Sequence, residues 1–436
     1  MSLAQASPSP QINVPFDRLP ENIMFDIFLL VWRGRGVLDG TWRGMHERRI
    51  PYILASVSRY WRAIVLAMPI LWTFVDLSQI RTEHLATHLA RSKDLSIHVD
   101  LFLDEESHIQ NLRESLRILG ETGSWTRAGD LDAILSHEGI SVLVDNLNKA
   151  IDVDTTSVFQ DIRIRPLSSR ARSGNMLPSE LSLRIPQSPV LRSIRLEHVC
   201  LCSVQELPSS PLPELKSFTL AHVEVTLPDS LFPFLDLTPN LKDLTLENCQ
   251  VRSTPNLATP PRPRHSIVLA RLDNSRLSSA EGVVGVNLLF RTLDMPKLRY
   301  MAFRTHSNRP WARLDWGAIC HNRALQAFEL AGLSSEALTR LLRRIPRLTK
   351  LSGLLLYRSA LATPEDFAFQ VSRRLLQPSY CLGLAHLSMY FRLTGESKQA
   401  IKELRRTRPS LNIYWEKDFE SDSDFEEDAI EGEKDL

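Results

Sequence analysis

The 436-residue chain is short of cysteine and has no long apolar run, and each shortage removes a class of protein. Five cysteines, of which only Cys200 and Cys202 lie close together, supply neither an even disulfide framework nor the C-x-x-C pairs of a zinc site. They read as reduced, mostly buried thiols. The densest apolar stretch runs from Ile23 to Trp32, about half of what spans a bilayer. The opening MSLAQASPSPQINVP has neither the basic start nor the apolar core of a signal peptide. No membrane partner is expected, and the expected location is cytoplasmic and/or nuclear. No G-x-S-x-G elbow occurs and no carboxylate pair stands apart from the solvated charge, so no catalytic residue, cofactor or metal is assigned. His84 and His88 share a helical face without a third ligand. Gly34-Arg35-Gly36 with Gly40 follows a helix rather than a strand, which makes it a spacer rather than a phosphate loop.

A composition of 43% hydrophobic and 24% charged residues is that of an ordinary soluble protein. The formal net charge of +1 conceals an uneven distribution. Residues 416–436 carry a net −9, which leaves +10 on the rest. So acidic a segment cannot offset its ordering entropy by burial, so residues 416–436 are expected to be a disordered tail, as are residues 1–14. Arg33, Arg35, Arg43, Arg48 and Arg49, and Arg262 with Arg264, lack interleaved aromatics, so no nucleic-acid partner is expected.

Residues 15–72 contain two helical runs. The first begins at Leu19-Pro20, with Glu21 at the positive end of the helix dipole, and is apolar nearly all round, Asp26 being the only polar residue between Ile23 and Trp32. The second starts near Pro51, spaces Ile53, Val57, Trp61, Ile64 and Met68 as one stripe, and ends at Pro69. That stripe covers one side of the first helix and leaves the other bare, as a docking surface would be. Leu19-Pro20, Ile23, Ile27-Phe28, Val57, Trp61 and Ile64, followed by Pro69, Leu71 and Trp72, resemble an F-box of the fungal type. The resemblance covers about an eighth of the chain. It implies that Leu19, Pro20, Ile23, Ile27, Phe28 and Val57 contact a Skp-type adaptor, and through it a cullin.

From Leu191 a frame L-x-x-L-x-L recurs. It begins at Leu191, Leu215, Leu241, Ile267, Leu298, Leu325, Leu351 and Leu384, most spacings falling in the leucine-rich-repeat range. The fourth and sixth residues of each frame are expected to point inward from a short strand, and a return segment brings the chain to the next. Thr363-Pro364-Glu365-Asp366 and Ser334-Ser335 read as helix starts within such segments. The ninth position, Asn or Cys in a regular repeat, is met only by Cys249. The array therefore resembles the divergent leucine-rich repeats found behind many F-boxes. Before it, Trp72 to Leu77, Leu95 to Leu101 and Val158 to Ile164 alternate as strands do, and Leu131 to Ala150 reads as helical.

The expected fold class is α/β, a small helical F-box followed by an irregular leucine-rich-repeat-like solenoid. Its parts are residues 15–72, an irregular region at 73–190, and the array at 191–415. The implied function is that of a non-enzymatic substrate receptor of a ubiquitin ligase; the alternative is an adaptor-bound scaffold that works without a cullin. The protein substrate is not named by the sequence. Outward positions of the frames place Tyr300, Arg304, Tyr357 and Tyr390 together, types enriched at binding hot spots, and these are the candidate substrate contacts. Ser421 and Ser423, with Asp424 and Glu426 three residues on, resemble sites of acidophilic kinases.

Overall fold

Alternating burial along one strand after another builds this molecule. In a computed structural model the residues described are 19–33, 50–78, 80–103, 108–150, 157–167, 181–252, 267, 269–274, 280–305, 314–321, 323–331, 335–345, 348–357, 364–377, 380–390, 393 and 395–415. The expectations for residues 1–14, for the glycine spacer at Gly34 to Gly40, for Arg262 and Arg264, and for the acidic tail with Ser421 and Ser423 lie outside them.

Three helices come first, α1 Glu21–Arg33, α2 Ile50–Val57 and α3 Arg59–Ala67. Then strands and helices follow one another: β1 Phe74–Asp76, α4 Thr82–Arg91, β2 Ile97–Phe102, α5 Ile109–Glu121, β3 Ala128–Leu135, α6 His137–Ala150 and β4 Asp161–Pro166. Next come β5 Ser193–Glu197, β6 Ser217–Ala221, α7 Phe232–Asp236, β7 Asp243–Glu247, β8 Leu269–Asn274, α8 Ala280–Thr292 and β9 Tyr300–Thr305. The series ends with α9 Trp316–Ile319, β10 Ala327–Ala331, α10 Ser335–Leu342, β11 Gly353–Tyr357, α11 Pro364–Leu375, β12 His386–Tyr390, α12 Gly395–Thr407 and β13 Asn412–Trp415. The thirteen strands form one sheet in chain order, every neighbouring pair parallel. The fold is thus mixed α/β. Strands added in sequence with crossovers of one hand put the connecting helices on one face and leave the other open.

Register shows why the leucine frame works. Leu244 lies between Phe218 and Ala270, and Leu246 between Leu220 and Leu272, so fourth and sixth positions stack into continuous rows. Ile194, Leu196, Phe218, Leu220, Leu244, Leu354, Leu356, Leu387 and Met389 are all buried, as are the frame starts from Leu191 to Leu384. At the eighth position His198, His222 and Asn248 take the left-handed conformation (φ 61°, 59° and 51°), which those side chains tolerate better than most. This turn keeps the ladder going one residue beyond the strand: His198 N–H donates to Ala221 O at 2.9 Å and His222 N–H to Glu247 O at 2.8 Å. Cys249, at the ninth position, donates its thiol to Leu220 O at 3.3 Å.

β1 to β4, in the region before the leucine frames, belong to the same sheet, Ile162 and Ile164 of β4 pairing with Ile194 and Leu196 of β5. Three expectations need correction. The helix expected from Leu131 starts only at His137, because residues 128–135 alternate with Leu131, Ala133 and Leu135 inward; Ser136 Oγ then accepts the Gly139 N–H at 3.2 Å. The second run of the amino-terminal unit is two helices, since Ser58 is extended (φ −153°) and its Oγ accepts the Trp61 N–H at 3.1 Å. The break turns the stripe: Ile50, Leu54, Ile64, Val65 and Met68 are buried, while Ile53 and Val57 are exposed.

Both edges of the sheet are closed by side chains. On β1 the outward carbonyl, Phe74 O, accepts from His88 Nε2 at 3.1 Å; on β13, Ile413 O accepts from Arg405 Nη2 at 3.1 Å. An unpaired edge invites association, and these bonds occupy it.

Candidate functional site

Two surfaces hold the sequence-derived candidates. On α1, Met24 and Phe28, one turn apart, enter a small core with Leu54, Ile64, Val65, Met68, Leu71 and Trp72. Trp61 packs on Phe28 at 5.0 Å between ring centroids. The helix turns its other side away from that core: Ile23, Leu30 (68% exposed) and Val31 face outward with Ile27 half-buried among them, at the i, i+4, i+7 and i+8 spacing of a single stripe. Leu19 is half-buried, its carbonyl accepting from Tyr60 Oη at 3.3 Å, and Pro20 is exposed. Val57 is 57% exposed on α2. Phe28 departs from expectation. It is fully buried, so it supports the helix from beneath and is no surface anchor. Leu30 and Val31 were missed, although counting on from Ile23 and Ile27 by helical period reaches them.

A third side of α1 lines an open apolar groove of about 480 Å³, where Phe25 and Leu29 meet Met68, Pro69, Ile70 and Leu95, with Lys93 and Asp94 at its rim. The Arg127 guanidinium holds the rim turn by donating to Ser92 Oγ at 2.7 Å, to Leu89 O at 2.8 Å and to Lys93 O.

The helical unit is joined to the sheet through an aromatic knot. Tyr52 and Trp72 meet edge to face at 5.4 Å, Trp72 and His88 at 5.1 Å, and Arg91 lies 4.4 Å over the Trp72 ring. His88 is 1% exposed. Its Nε2–H donates to Phe74 O, so its neutral Nδ1 accepts from Tyr52 Oη at 3.0 Å. Burial, with Arg91 adding, lowers its pKa to about 4. Both ring nitrogens are therefore occupied, which rules His88 out of a metal pair with His84. Among the described residues no group of His, Cys, Asp and Glu is placed to hold a metal ion.

The open face of the sheet divides by chemistry. Its first four strands carry Asp76, Asp100, Asp130, Asp132 and Asp161 beside Arg163 and Arg165. Burial, with Asp130 beside it, raises the Asp161 pKa. On β9 to β12 the four candidates come together around a residue whose part in them the sequence did not reveal, Glu329, only 3% exposed. One of its carboxylate oxygens takes Arg304 Nε at 2.6 Å and Nη2 at 2.5 Å, and the other takes the Tyr300 hydroxyl. The Arg304 guanidinium lies 5.5 Å over Tyr357, and Tyr357 stacks on Tyr390 at 4.3 Å with the rings 6° from parallel. Burial and the Glu329 carboxylate raise the Tyr357 phenol. Tyr390 is 44% exposed, and Tyr414 on β13 is exposed too. Small residues make this possible: Ala331 stands in register between Arg304 and Tyr357, which lets the long arginine reach across a strand.

A scan of family models finds no match to the chain, and a search of curated proteins finds none either. No helix among the described residues is long and apolar enough to cross a membrane.

Proposed function

We propose that the chain is the substrate-recognition subunit of a Skp/cullin/F-box ubiquitin ligase. In this reading residues 15–72 are an F-box bound to the adaptor, and the sheet is a divergent leucine-rich-repeat-like solenoid that captures a target protein. The protein itself performs no catalysis; it holds the target for catalytic subunits elsewhere in the complex. The observation that carries the reading is the stripe of Ile23, Leu30 and Val31, with Ile27 half-buried among them, left outward on a helix whose Met24 and Phe28 side is packed into the core. Exposed apolar patches of this kind mark partner surfaces. The knot of Tyr52, Trp72, His88 and Arg91 supports it further, because a receptor must hold its two binding surfaces in fixed relation.

Affinity capture of the full-length chain, followed by identification of adaptor and cullin, tests the reading. Ile27→Asp with Leu30→Asp should leave the fold intact and abolish adaptor capture, since a buried unpaired carboxylate costs several kcal/mol at an interface. Adaptor retained by the folded double variant would remove the F-box assignment. Adaptor without cullin would favour a scaffold.

A further inference from the structure

Resting on the reading of the open face as the capture surface, we infer that the segment taken by β9 to β13 is an extended, uncharged one bearing proline and aromatic side chains. Three observations point there. The charges of this half cancel, Arg304 and Glu329 being bound to each other, whereas the strands at the other end carry charges of both signs, Asp130, Asp132 and Asp161 beside Arg163 and Arg165. A charged segment thus finds its attraction elsewhere on the sheet and only desolvation here. The relief is also suitable, since small residues keep the surface low along one row, Ala327 and Gly353 lying in register between Tyr300 and His386, beside the row in which Arg304 reaches over Ala331 to Tyr357. Finally, the exposed groups are rings with polar tips. Tyr390 and Tyr414 offer π faces and hydroxyls, the combination that packs on pyrrolidine rings while donating to outward carbonyls. A polyproline-type segment is stiff before binding and carries no internal hydrogen bonds, so it loses little entropy and presents those carbonyls.

Short fluorescein-labelled peptides of three compositions test this on the full-length protein by polarisation: proline with tyrosine and leucine, lysine with arginine, and aspartate with glutamate. The uncharged peptide should bind with little response to salt, and Tyr357→Ala with Tyr390→Ala should weaken it about tenfold or more. Tyr357→Phe with Tyr390→Phe, which keeps the stack and the fold, should weaken it only about two- to fivefold. Asp130→Asn with Asp161→Asn should change nothing. Preferential binding of either charged peptide, or of none, overturns the inference, as does uncharged binding that survives the alanine pair. Adaptor capture is measured separately, so loss of the ligase reading would leave the peptide result standing.

Discussion

The two edges of the sheet are closed by one device in two chemistries. At each edge an outward carbonyl accepts from a side chain of the neighbouring helix, Phe74 O from His88 of α4 at β1 and Ile413 O from Arg405 of α12 at β13. His88 is sealed beneath Tyr52 and Trp72, and an uncharged donor is the one that such burial favours. Arg405 is exposed, its guanidinium lying 4.3 Å over the Trp415 ring, and it can keep its charge. The edge that carries the helical unit is closed with a neutral group, and the other with a charged one. The first arrangement titrates in the acidic range and the second does not.

The largest effect should come from removing what lies over the first edge. Phe28→Ala empties a fully buried site and should cost about 3–5 kcal/mol. Because the knot ties that unit to the sheet, tryptophan fluorescence should show the loss reaching Trp72 as well as Trp61. Leu30→Ala, on the bare stripe, should stay within about 0.5 kcal/mol in the same denaturant titration. If the two substitutions cost alike, the packed and bare sides of α1 have been misassigned.

Acid should act on one edge alone. The folded His88 titrates near 4 and an unfolded histidine near 6.5, so between these values only the unfolded chain takes up the proton. Its contribution is complete above about pH 6.5 and falls as pH drops toward 4, by roughly 3 kcal/mol in all. His88→Gln retains an N–H for Phe74 O without the titration, and should flatten that part of the stability profile. An acid limb of equal depth in the variant would put the titrating group elsewhere.

Breaking the other edge should be milder and independent of pH. Arg405→Ala removes one charge-assisted hydrogen bond and a cation–π contact, about 1–2 kcal/mol together. It also frees Ile413 O for pairing, so sedimentation velocity should reveal association at high concentration. A variant that remains monomeric, with unchanged stability, would mean that the edge is guarded by something other than this arginine.

Much of this was legible in the sequence, and the part that was not has physical causes. The frames from Leu191 onward announce their strands because leucine must fill both inward rows. β2 is legible without a leading leucine from the alternation of Ile97, Val99 and Leu101, whereas β3 is not, since Asp130 and Asp132 beside Leu131 and Ala133 imitate a helix face. The period-two rule puts the candidate tyrosines on one face, where Tyr357 and Tyr390 stack. Glu329 as their pivot was invisible, because only the register shows that its carboxylate meets Arg304 and Tyr300 one strand away. The stripe of α2 and α3 failed because one serine cap shifts the helical phase.

The smallest effect concerns the turns between the two edges, where a repeated signal went unread: Glu-His-Val, Ala-His-Val and Glu-Asn-Cys close successive frames at residues 197–199, 221–223 and 247–249. The middle residue of each is left-handed, and the N–H of His198 and of His222 extends the ladder, so the chain needs a side chain that tolerates positive φ there rather than an imidazole as such. His222→Asn borrows the solution of Asn248 in the next frame and should leave stability within about 0.5 kcal/mol, the loss of its stacking on His198 at 4.9 Å being small. His222→Val, β-branched in the same conformation, should cost about 1–2 kcal/mol. Equal destabilisation by asparagine and valine would mean that the stacked imidazoles, rather than the turn, hold these frames in register.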